Sequence, residues 1–156
     1  SMKLGYLPET GPLYPDMTPF SLLDFFAEAR GMNKKTKMDQ IEKAVELCSL
    51  SSVIYKPINK LSKGYRQRVG MAQALIHEPE IVFLDEPTDG VDPVGRASIR
   101  EMVLDLKERG VTVFINSHLL MEVEMICDHV VIMDKAKTKM VKHFLTNLQD
   151  NFLSSA

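Results

Sequence analysis

The sequence predicts an α/β protein with mostly parallel strands, and two patterns carry that prediction. From residue 80 onward, apolar runs at 81–84, 111–115 and 130–133 alternate with helical patterns at about 94–109 and 119–127. Runs that are apolar on both faces and separated by helices point to parallel strands, in a sheet covered on both sides. Ahead of them, residues 10–77 are mostly helical, with apolar positions recurring every three or four residues.

Taken in order, Lys3-Leu4-Gly5-Tyr6-Leu7 predicts a short strand stopped by Pro8, and Pro12 and Pro15 keep the following connection out of helix. Thr18-Pro19 fits an N-cap with proline at the first helical position, opening a helix over 18–30 with Leu22, Leu23 and Phe26 as its apolar stripe. Lys34, Lys35 and Lys37 read as a solvated linker, after which Ile41, Ala44, Val45 and Cys48 mark a helix over 38–49. Leu61-Ser62-Lys63-Gly64 leads into a third helix, with Val69, Ala72 and Ile76 on one face, before Pro79. In the helix over 94–109, Ile99, Met102, Val103 and Leu106 form one stripe, and Arg109-Gly110 supplies a C-terminal charge and a C′ glycine. From residue 134 the chain is Lys-rich and then weakly amphipathic through Phe144, Leu145, Leu148 and Phe152, which suggests a closing helix.

Composition narrows the class. At 156 residues, 45% hydrophobic and 26% charged, the chain is about one soluble domain long. A net charge of −2 and a pI near 6.1 lack the basic footprint of a nucleic-acid binder. Cys48 and Cys127 stand among apolar neighbours and read as buried reduced thiols, and the ten scattered methionines read as core filler. No apolar run reaches the roughly 18 residues needed to span a bilayer, so a cytosolic setting is expected.

The most informative stretch is Leu84-Asp85-Glu86-Pro87-Thr88-Asp89-Gly90-Val91-Asp92-Pro93, in which two carboxylates stand at the end of the apolar run Ile81-Val82-Phe83-Leu84. An acid pair where a buried strand surfaces can supply one carboxylate for Mg²⁺ and another to orient an attacking water, as phosphoryl-transfer sites do. The 156 residues contain no Gly-x-x-x-x-Gly-Lys-Ser/Thr cradle for the phosphates. Gly90 to Gly95 matches the glycine spacing only, because Arg96-Ala97 follows. Ser117 beside His118 lacks a nucleophile elbow, and His118 with Glu122 lacks a third zinc ligand.

Glu9 after a short strand, Leu61-Ser62-Lys63-Gly64-Tyr65-Arg66-Gln67-Arg68, the strand ending in Asp85-Glu86, and His118 after the strand 111–116 occur in a fixed order. Together they resemble the nucleotide-binding domain of ATP-binding cassette (ABC) ATPases, in particular subunits that drive ABC-2-type exporters of the drug-resistance and gliding-motility kind. The resemblance covers about residues 3–135. It implies a partial P-loop NTPase (RecA-like) core plus the ABC helical subdomain. Residues 1–10 would be the strand and start of the Q-loop, 11–60 the helical subdomain, 61–77 the signature motif and its helix, 78–135 the C-terminal part of the core, and 136–156 a divergent tail. The glycine expected near Ala136 and the usual hairpin pattern are missing from that tail.

Residue by residue, the resemblance makes Leu61, Ser62, Lys63, Gly64, Tyr65 and Gln67 the signature motif, with the Ser62 hydroxyl and Gly64 amide facing the γ-phosphate of a nucleotide held by a partner subunit. A glycine at a helix mouth suits that role, since free N–H groups and the positive dipole end attract anions. Asp85 would hold Mg²⁺ through water, Glu86 would polarise the lytic water, and His118 would contact the γ-phosphate. Asp89 and Asp92 fall in the D-loop, Asp89 where serine or alanine is usual. Glu9 takes the Q-loop position, a second potential Mg²⁺ contact, where glutamine is usual. Leu13, Tyr14, Met17 and Phe20 are open to two readings, contact with a membrane subunit or simple packing.

Compared with the whole family domain, the sequence lacks the P-loop and about the first third. The expectations are that this fragment binds ATP and Mg²⁺ at most weakly by itself, that it loses sheet neighbours of strand 81–84, and that it self-associates in compensation. The intact system would be cytoplasmic and peripheral to the inner face of the membrane, with a transmembrane permease subunit and a second nucleotide-binding subunit as partners and no nucleic acid. Two alternatives are a truncated interaction module that pairs with an intact subunit and a soluble ABC ATPase of DNA maintenance. Against the latter, only about 50 residues separate Glu9 from Leu61, too few for its long coiled coil.

Overall fold

The computed structural model describes residues 3–10, 13–134 and 137–143, with side-chain surroundings up to residue 131. Its contacts divide the chain into two compact units, residues 1–118 and 119–156.

In the first unit, β1 (Leu4–Leu7), β2 (Ile81–Asp85) and β3 (Thr112–Asn116) form one parallel sheet in the order β1-β2-β3. Their register aligns Leu7 with Leu84 and Leu84 with Ile115, and brings the strand ends Asp85 and Asn116 side by side. Strand β2 is therefore paired on both sides, which corrects the expectation that strand 81–84 lacks neighbours. Among the described residues, β3 is an edge of this sheet.

Three helices come before the sheet's second strand. Helix α1 (Pro19–Ala29) is capped by Thr18, whose side chain accepts from Ser21 N, with Pro19 in the first turn as expected. Helix α2 (Lys34–Leu47) begins four residues earlier than the apolar stripe suggests, because Asn33 caps it and accepts from Thr36 N. The lysine group expected to be linker thus forms its first turn, and Lys37 reaches back to Asp24 at 2.6 Å. Helix α3 (Lys63–Leu75) follows a short 3₁₀ turn, Ile58–Lys60, and is capped by Ser62. Helix α4 (Pro93–Glu108), capped by Asp92, connects β2 to β3.

The core of this unit is the meeting of those apolar stripes. Leu22, Leu23 and Ala27 of α1, Ile41 and Ala44 of α2, Val69, Ala72 and Ile76 of α3 and its C-cap, and Ile99, Met102, Val103 and Leu106 of α4 are buried. They pack with the sheet face that carries Leu7, Val82 and Leu84. The opposite face is not covered as expected: Leu4, Tyr6, Phe83 and Phe114 are exposed, and the Phe83 and Phe114 rings stack at 4.8 Å. Leu13, Met17 and Phe20 are half-buried and Tyr14 is exposed, edge-on to Phe25.

The second unit contains α5 (Leu120–Ile126) and an antiparallel pair of β4 (His129–Asp134) and β5 (Lys137–His143). The expectation that run 130–133 joins the parallel sheet, in a tail without a hairpin, is therefore corrected: β4 pairs with the next segment of chain, where a short connection keeps the closure cost low. The suggested helix through 144–152 lies outside the described residues. Cys48 is buried, and burial pushes its thiol up to about 12, whereas Cys127 is only half-buried. The methionines are not all core filler, since Met38, Met121 and Met125 are exposed.

Candidate functional site

The site is assembled at the C-terminal ends of β2 and β3, where an open parallel sheet presents residues to a ligand. Register alone places Asn116 beside Asp85, and Asn116 Nδ2 donates to Asp85 Oδ1 at 2.7 Å. Asn116 was not singled out from sequence, and only the strand register reveals it. The next residue, Glu86, leaves the strand with φ of +47°, a conformation L residues rarely adopt. Two contacts hold it there: its own N–H donates to the Asn116 carbonyl at 2.9 Å, and its Oε1 accepts from His118 N at 3.1 Å.

The His118 ring completes the cluster. Its Nδ1 stands 2.9 Å from Glu86 Oε2, an ion-pair contact outside straight hydrogen-bond geometry. The hydrogen-bonding influence and charge of Glu86, followed by the charges of Asp89 and Glu9, hold the imidazole pKa above its ordinary value. Glu86 is largely buried and His118 exposed, with side-chain accessibilities of 16% and 61%. The pair thus offers a sheltered carboxylate and an imidazole that can reach an incoming anion.

On α3, Ser62 is the N-cap, and its hydroxyl accepts from Tyr65 N at 3.4 Å. Ser62 and Lys63 are exposed, Tyr65 is half-buried, and Leu61, Gly64 and Gln67 are buried. Gln67 therefore does not share the exposed first turn. Tyr65 instead faces Ser52 and Arg68: its hydroxyl lies 3.4 Å from Ser52 Oγ, and the guanidinium sits 4.0 Å from the ring centroid. Asp89 pairs with Lys63, and Asp92 caps α4 by accepting from Gly95 N at 3.4 Å. Glu9, just beyond β1, is exposed and acts on His118 through its charge. The structure so unites Asp85, Glu86, His118, Asp89 and Lys63.

The donor set suits a hard, water-retaining cation. Among the described residues no group of three or more His, Cys, Asp or Glu side chains could cage a metal. Asp85 and Glu9 are the carboxylates at these strand ends that could each give one ligand to such a cation, and Mg²⁺ ordinarily takes one or two carboxylates with water and phosphate in its other positions.

Comparison with known proteins agrees with this geometry. The fold is that of an ATP-binding cassette: a crystal structure of such a cassette of an ABC transporter, in its ADP conformation, superposes with a TM-score of 0.78 over 91% of this chain and 61% of its own. The two sequences are 23% identical, so that likeness bears on fold alone. A family model described as ABC transporter matches residues 1–89, and the chain belongs to that family of ATP-binding proteins. An ABC transporter ATP-binding protein of Synechocystis is 43% identical over 86% of this chain and 39% of its own length. The bacitracin transport ATP-binding protein of Bacillus licheniformis is 38% identical over 86% of this chain and 44% of its own. An ABC transporter ATP-binding protein of Alkalihalophilus pseudofirmus is 35% identical over 96% of this chain and 55% of its own. The chain thus spans about two fifths to a little over half of these relatives. Among the described residues no helix is long and apolar enough to cross a membrane.

Proposed function

We propose that this chain carries the hydrolytic and phosphate-sensing half of an ATP-binding subunit that powers export across a membrane. The observation that carries the reading is the contact of Glu86 with both the backbone and the ring of His118, beside an Asp85 fixed by Asn116. In this reading Asp85 and the exposed Glu9 would hold a hydrated Mg²⁺, which would supply positive charge to offset that of the phosphates. Glu86 accepts a hydrogen bond from the attacking water and orients it, and His118 donates to a terminal phosphate oxygen. The first turn of α3, with the Ser62 hydroxyl and the Gly64 amide, meets the γ-phosphate of a nucleotide on a second nucleotide-binding subunit. Asp89 and Asp92 lie on the loop between these parts.

A transmembrane permease subunit is the second partner, met at the cytoplasmic side by residues 11–60, where Tyr14 is exposed. Residues 61–77 serve as the signature segment, 78–135 as the core, and 136–156 as a tail without an assigned role. Because the sequence contains no phosphate cradle, the chain by itself binds Mg-ATP weakly and turns it over poorly. The exposed edge of β3 and the stacked Phe83 and Phe114 support self-association of the isolated chain. The DNA-maintenance alternative has no support in the fold, which shows no long helical insertion among the described residues.

The test has two parts. Calorimetric titration of the chain with Mg-ATP is expected to give a dissociation constant weaker than about 100 μM, and micromolar binding overturns the claim of weak binding. In a subunit that joins this segment to a phosphate-binding loop, Glu86→Gln is expected to lower ATP turnover about 100-fold or more with little change in nucleotide affinity. Retention of wild-type turnover overturns the assignment of Glu86.

A further inference from the structure

A contact between α3 and the loop after Glu86 has no place in the chemistry above. Lys63 opens α3, where a cation opposes the helix dipole, and its Nζ lies 3.0 Å from Asp89 Oδ2. Asp89 N donates in turn to the Glu86 carbonyl at 3.2 Å, and Val91 N to the Thr88 carbonyl at 3.2 Å. Gly90 turns the chain with φ of +59°, and a Cβ placed there would stand 2.5 Å from Lys63 Nζ, so the lysine lies directly across it. Beneath this crossing, Cβ atoms on Gly64 and Gly95 would stand 3.1 and 2.6 Å from the same Val91 methyl, and the two helix mouths are in close approach. The Asp89 carboxylate has a second neighbour in charge: its pKa is lowered first by Lys63 and then by His118. The carboxylates acting on His118 are Glu86, Asp89 and Glu9.

We propose that Lys63 and Asp89 are positioning residues, whose salt bridge clamps the loop after Glu86 onto the first turn of α3 and so fixes where the Asp89 charge sits. The clamp fixes the spacing between the first turn of α3 and that loop. Its consequence for hydrolysis rests on the nucleotide reading above, whereas the clamp belongs to the folded chain and is tested without nucleotide.

The experiment is an NMR titration of the His118 ring in the full chain, as wild type, Lys63→Met, Lys63→Arg and Asp89→Asn, with amide exchange at Asp89 and Val91. Asp89→Asn removes a carboxylate and moves the His118 midpoint down. Lys63→Met also moves it down, since the released carboxylate swings away, although loss of a cation with nothing else moving could only raise it. Lys63→Arg keeps the charge and stays close to wild type. Exchange at the two amides is expected to quicken about two- to fivefold in Lys63→Met and Asp89→Asn, with no further gain in the double variant. A His118 midpoint that is unchanged or raised in Lys63→Met, or exchange effects that add, overturns the clamp. Either failure leaves the assignments of Asp85 and Glu86 standing.

Discussion

In the proposed reading, Glu86 concentrates the chemistry of the site in one strained residue. Its left-handed backbone costs an L residue about 1–2 kcal/mol, and the hydrogen bonds to Asn116 and His118 offset that cost while aiming the carboxylate. Because Glu86 raises the His118 pKa, the imidazole is expected to titrate above its ordinary value, and Glu86→Gln to bring it back down, as followed by NMR. A pKa higher in the folded than in the unfolded state favours folding while the ring is charged. That contribution is complete below the unfolded value of about 6.5 and disappears as pH rises through the folded value. Wild type should therefore lose part of its advantage over Glu86→Gln in urea midpoint between pH 5.5 and 8.5, and a constant difference would refute the coupling. That Asp85, Glu86 and His118 come together is legible in sequence, because their residue types and order carry the signal. Asn116 is not, because its role depends on which residue of a strand far along the chain stands opposite Asp85.

At the scale of elements, three helices end in the same way. The C′ residues Gly31, Ser49 and Gly110 have φ of 72°, 50° and 80°. In each case the C′ amide and the next one bond back to carbonyls of the last turn: Gly31 to Glu28 and Met32 to Ala27, Ser49 to Glu46 and Leu50 to Val45, Gly110 to Lys107 and Val111 to Leu106. These are Schellman closures, in which glycine is the natural occupant. Ser49 is the exception, and Ser49→Gly is expected to stabilise the protein by about 0.5–1 kcal/mol. Relief of the left-handed strain outweighs the extra freedom glycine gains on unfolding. A higher denaturant midpoint at unchanged slope is the check, and Arg68 still finds the residue 49 carbonyl, to which Nη1 donates at 3.4 Å. The end of α4 was readable because Gly110 announces it. The start of α2 was not, because the lysines after Asn33 resemble a linker until the cap is seen to satisfy the first turn. The fate of β4 was hidden for another reason: an apolar run does not say which segment will pair with it.

At the scale of the whole molecule, the first unit depends on bringing β1, at the start of the chain, against α3 and β2 some 70 residues later. Such distant pairing works only if the backbones can come close, and Gly5 sets that distance. A Cβ on Gly5 would stand 2.5 Å from the Ala74 carbonyl oxygen and 3.1 Å from Pro79 Cγ. The oxygen belongs to a helix backbone and cannot swing aside, unlike the Leu7 methyl that a Cβ on Gly70 would meet. Gly5→Ala is therefore expected to destabilise the protein by about 2–3 kcal/mol, at the upper end for overpacking, as β1 is pushed off α3. Gly31→Ala tests the alternative that any lost glycine is equally harmful. Nothing lies within 4 Å of a Cβ at Gly31, so only its left-handed backbone resists the change, at about 1 kcal/mol. Equal losses for the two variants in equilibrium denaturation would mean that β1 does not need this close approach. A much larger loss for Gly5→Ala would show that one missing methyl group lets β1, which leads to Glu9, pair with β2, which leads to Asp85 and Glu86.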